Sequence, residues 1–190
     1  MTSYLDANVP SRSEHLWRYT PWSRVHPGAV DTIPQVDTAT IKTEDFELGT
    51  SVIKPLPTSD IARIFLNEVL QETTTIDCDD NDGHIHIHAG GHAVATHLHL
   101  TCNTASNIVI HLHGEPDWFG LALTGDINAN AQLSVGVINE LSTDSVMVRD
   151  GREGKGRRQS SDQMSLVLPA RPEVQAPGHV HEQHHRHHHH

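Results

Sequence analysis

A mainly β chain wound as a flattened β-helix is the fold this sequence predicts, and three observations carry it. Apolar and polar residues alternate in six consecutive segments between residues 83 and 150, the period of a strand with side chains on opposite faces. The segments centre near residues 86, 98, 110, 122, 135 and 147, a spacing even enough to be a repeat. The composition is 36% apolar and 4% aromatic, which suits layers filled with small aliphatic side chains. Two strands then make a coil of about 25 residues, each strand stacking on the next but one. The alternative is an antiparallel β-sandwich, in which successive strands pair. The lack of Asn-Gly hairpin turns favours the β-helix.

In chain order, residues 1–12 read as a flexible N-terminus, and residues 13–82 as an N-terminal segment that ends in a helix and a turn. Trp17, Tyr19 and Trp22 crowd around Pro21 in a chain otherwise poor in aromatics, which marks an anchor against something larger. A strand is expected around Phe46 to Ile53. A helix is predicted from about residue 60 to 71, because Ile61, Ile64, Phe65, Val69 and Leu70 form a one-sided stripe. Ser59 supplies the expected cap, and Asp60 favours the first turn. "DCDDNDG" reads as a turn, after which residues 83–150 carry the repeats. Residues 151–190 form an irregular tail with a histidine-rich end that resembles a purification tag.

The formal net charge is −11, and between Ile64 and Val148 there are eleven carboxylates and no Lys or Arg. Such a surface repels phosphate backbones and argues against nucleic-acid binding. The basic run at residues 149–158 reads as a solvated loop. No apolar run has the length of a membrane helix, and the N-terminus lacks a secretory pattern, so a cytoplasmic protein is expected. Cys78 and Cys102 are not spaced as a metal motif, and a buried, inert thiol is expected at Cys102.

The histidines of "GHIHIHAGGHAVATHLHL", residues 83–100, carry the candidate chemistry. With Ile85 and Ile87 inside, His84, His86 and His88 point outward, as do the pairs His97 with His99 and His111 with His113. The plain reading is a wet face written in imidazole. A metal site needs a third or fourth donor, and the coil supplies it by stacking His86 and His88 beside His111 and His113, with His97 and His99 on the other face; in the antiparallel alternative His97 and His99 meet His111 and His113 instead. His86, His88, His111 and His113 are the candidate ligands, for zinc, copper or nickel. A cupin-type enzyme needs a carboxylate shortly after His-x-His, but none follows His88 until Glu115. Serine-hydrolase and phosphate-loop motifs are absent, so no catalytic residue is assigned and no enzyme is expected.

Glu14, Trp17, Arg18, Tyr19, Thr20 and Pro21, in "SEHLWRYTPW", resemble the N-terminal signature of the SufB/SufD family of the sulfur-mobilisation (SUF) machinery. The likeness covers roughly residues 13 to 150. It implies a right-handed parallel β-helix and a non-enzymatic scaffold role in iron–sulfur cluster assembly. The implied partners are the SUF ATPase and a paralogous SufB-like scaffold, with a cluster passing transiently through the complex. Members commonly have more coils and a C-terminal helical docking region, so the resemblance implies a short or truncated member.

Overall fold

The structure is a computed structural model, and it describes residues 3–11, 13, 21–52, 58–79, 81–153 and 165–167. Glu14, Trp17, Arg18, Tyr19 and Thr20 of the aromatic signature, and the terminal histidines, lie outside the described residues.

The repeat is a coiled β-solenoid of about three turns. Its strands in chain order are β1 (Asp37–Thr38), β2 (Thr40–Lys42), β3 (Leu48–Val52), β4 (Glu72–Asp77), β5 (Gly83–Ala89), β6 (Ala93–Cys102), β7 (Ala105–Gly114), β8 (Trp118–Ile127), β9 (Gln132–Leu141), β10 (Val146–Glu153) and β11 (Ser165–Val167). Alternate strands join one sheet in the order β10-β8-β6-β4-β3, with β1 beside β6. The others join a second sheet in the order β11-β9-β7-β5-β2. Pairing from β4 through β10 is parallel. Antiparallel pairing among the described residues is confined to β2 with β5 and β3 with β4, so the sheets are mixed and the antiparallel sandwich is set aside.

Parallel register stacks like on like. Ile85 and Ile87 lie beside Ile110 and Leu112, and Ile108 and Ile110 beside Val135 and Val137. In the opposite sheet Val94 and Leu98 lie beside Phe119 and Leu123. Both sets meet in one interior core, which also holds Cys78 and Cys102. Each buried aliphatic side chain contributes about 1.5–3 kcal/mol, so this stack is the main force holding the coils together. At one corner Asp79 accepts from the Asn103 backbone and side-chain amides, and Asn128 donates to Asn103. This polar ladder satisfies corner groups that no strand pairs. Where β7 ends, Gly114 has φ of +121°, and a Cβ there would stand 2.2 Å from the Ala89 carbonyl oxygen. Only glycine fits.

Among the described residues a 3-10 turn (Tyr4–Asp6) and two short α-helices, α1 (Trp22–Val25) and α2 (Ile61–Val69), precede the repeat. Asp60, rather than Ser59, caps α2, its carboxylate accepting from the Arg63 backbone N–H at 3.0 Å. The α2 stripe packs with Tyr4, Trp22, Trp118, Ala95, Ala122 and Val148 in a second core on the outside of the first sheet. Tyr4 corrects the expectation of a loose end at residues 1–12: it is buried, donates to the Val30 carbonyl and accepts from the Trp22 indole. Residues 72–77, expected to precede the repeat, form β4, whose parallel pairing with β6 makes it part of the repeat. Among the described residues, no helix is long and apolar enough to cross a membrane.

Candidate metal centre

Strict alternation on β5 and β7 buries the aliphatics and leaves the imidazoles on the outer face of the second sheet. Register then writes two rows across that face. One runs Lys42, His86, His111, Ile138; the next runs Thr40, His88, His113, Glu140. The rings stack as a ladder. His86 lies 4.5 Å from His111 and 5.2 Å from His113 between centroids, and His88 lies 4.9 Å from His113.

Ion-pair and hydrogen-bond contacts run through this ladder. The Glu140 carboxylate lies 3.1 Å from His113 Nδ1, an ion-pair contact that favours a proton on that nitrogen. With the proton there, neutral His113 offers its Nε2 lone pair to His86 Nδ1, 2.9 Å away. A parallel contact joins His84 Nδ1 and His111 Nε2 at 2.8 Å. Burial, then positive charge on the neighbouring rings of His86, His84 and His113, holds His111 below the usual imidazole range, with Glu140 opposing. Burial, then His113, Lys42 and His86, does the same to His88. Both shifts favour neutral imidazole at His88 and His111, the form that ligates metal.

His86, His111 and His113, all partly buried, each place one nitrogen so that the three lie within 4.8 Å of one another. Two imidazole nitrogens on one tetrahedral zinc ion stand about 3.3 Å apart. The hydrogen-bonded pair at 2.9 Å therefore needs to open by only a few tenths of an ångström to admit an ion between the two nitrogens, the proton of His86 Nδ1 moving to its Nε2. The Glu140–His113 contact supplies the outer carboxylate that orients a ligating histidine.

Of the four candidates, His86, His111 and His113 converge. His88 stacks on the group from an exposed position and stands outside it. Two participants were missed. Glu140 lies 27 residues beyond His113, whereas a uniform coil of 25 points to Ile138. His84 reaches His111 along a diagonal that the lateral register does not show.

The other histidines of residues 83–100 are otherwise engaged. His97 and His99 lie on the first sheet, as expected. His97 contacts the hydroxyls of Thr73 at 2.9 Å and Thr124 at 2.8 Å; His99 contacts Thr124 at 2.8 Å and Asp126 at 3.2 Å. Burial, then the charges of Arg63 and His99, pushes His97 down to about 4. His92 contacts Asp117 at 2.7 Å in an exposed turn. Burial first, then the negative charge of Cys102, Asp77 and Asp79, pushes the Cys78 thiol up to about 12, so it is inert as nucleophile or ligand near neutrality.

No family model, curated protein or solved structure matches the chain.

Proposed function

We propose that this β-solenoid binds a transition-metal ion on its histidine face through His86, His111 and His113, with Glu140 holding His113 in its ligating tautomer. The observation that carries the reading is the convergence of three imidazole nitrogens from two successive coils within 4.8 Å. Imidazole suits zinc, copper and nickel. Three protein ligands leave one tetrahedral position for water or a small ligand, beside an open concavity lined by Lys42, Thr43, Glu44, Asp45, His84, His86 and His88. The chain acts by holding and releasing the ion and is not an enzyme.

The test is calorimetric titration of zinc into the 190-residue chain with its eight tail histidines (His179, His181, His184, His185 and His187 to His190) replaced by glutamine. Saturable binding in the micromolar range, lost in His86→Asn/His113→Asn, is expected. A folded chain without saturable binding overturns the reading.

A second reading takes the chain as a SufD-like scaffold subunit in the cytoplasm, built as a right-handed parallel β-helix with two strands per coil. Its support is the parallel pairing of alternate strands 24 to 28 residues apart, from Thr74 beside Leu98 to Trp118 beside Val146. Under this reading the SUF ATPase and a SufB-like partner co-purify with the chain after co-expression. A folded chain that emerges alone removes it.

A further inference from the structure

The contact between His86 and His113 has a twin. Two residues back along both strands, His84 Nδ1 lies 2.8 Å from His111 Nε2, against 2.9 Å for His86 Nδ1 and His113 Nε2. The same atoms meet at the same separation of 27 residues, because β5 and β7 run parallel in constant register. The pair geometry into which an ion fits is thus repeated, although Ile138 rather than a carboxylate stands beside His111. We infer that the histidine ladder is a two-ion site, in which His84 and His111 hold a second transition-metal ion beside the first. This rests on the reading of the triad as a metal centre and extends it.

Charge is arranged for two cations. Glu140 contacts His113 at 3.1 Å, and Asp45 accepts the His84 backbone N–H at 2.7 Å, so each pair has a carboxylate of its own nearby. Asp45 also lines the concavity in which His84 and His86 stand. Residues i and i+2 of a strand are about 7 Å apart, which sets the spacing of the two ions. Two divalent charges at that distance repel, and in water this weakens the second ion on the order of tens-fold. His111 adds to the difference, since it belongs to the triad until the second ion draws it toward His84. The first ion then retains His86 and His113 and completes its shell with water or a small anion. Loading is therefore stepwise.

The test uses zinc alone and the 190-residue chain with the eight tail histidines replaced by glutamine. Calorimetry gives the steps, and native mass spectrometry counts ions per chain. Two ions are expected, with affinities separated by tens-fold. His84→Asn, at an exposed position outside the core, is expected to abolish the weaker step while a tighter step of one ion per chain remains. One ion in the parent, unaltered by His84→Asn, overturns the second position while leaving the triad in place. Two ions that persist in His84→Asn overturn it as well. No saturable binding in either protein removes the triad and the ladder together.

Discussion

His97 and His111 are the same side chain on the same kind of strand, and their surroundings give them different chemistry. His111 faces other imidazoles, whereas His97 lies between two threonine hydroxyls with Arg63 and His99 nearby. Its displacement to about 4 keeps the folded ring neutral while the unfolded ring, with a pKa near 6.5, takes up a proton. The stabilisation is thus fully present above about pH 6.5 and is lost as pH falls toward 4. His97→Gln is expected to flatten the fall in urea midpoint between pH 6.5 and 4.5 relative to the parent chain. Glu140→Ala removes the carboxylate beside His113 and is expected to weaken zinc binding about 10–100-fold with the melting temperature of the metal-free chain unchanged. The outward direction of every ladder histidine was legible from Ile85, Ile87, Ile110 and Leu112. Glu140 was not, because a coil two residues longer than average moves its partner by one outward position.

At the scale of elements, α2 was legible from its stripe, but the surface it covers was not. Ala95, Gly120 and Ala122 are small residues on the outer face of the first sheet, and small residues carry little signal of burial on their own. A Cβ at Gly120 would stand 2.8 Å from Leu66 Cδ2 and 2.5 Å from the Trp118 ring, which is how closely the helix sits down. Leu66 is fully buried there, so Leu66→Ala is expected to cost about 2–5 kcal/mol in urea denaturation. Strand β4 went unread for a related reason. Its text, Glu72 to Asp77, is three threonines with a single aliphatic at Ile76, so alternation is invisible. Thr73 is buried on the outer face, where it meets His97, and that polar contact replaces the apolar packing the pattern was searched for.

Across the whole molecule, ligands and carboxylate alike come from different coils. His86 stands beside His111, 25 residues on, and His113 beside Glu140, 27 residues on. Such residues are brought together only when the coils are stacked, so an ion recognises the folded chain and not the unfolded one. Even spacing of the strands made the solenoid legible; what stayed hidden was the unequal length of its coils, which decides which side chains become neighbours. Binding at about a hundred times Kd adds about 2.7 kcal/mol, and for a domain of this size each kcal/mol raises Tm by about 2–4 °C. Zinc at that excess is therefore expected to raise the melting temperature of the tail-substituted chain by about 5–10 °C in scanning calorimetry. In His86→Asn/His113→Asn the same zinc is expected to leave it unmoved. An equal rise in both proteins would place the stabilising ion elsewhere on a surface of net charge −11 and would detach coil stacking from the histidine ladder.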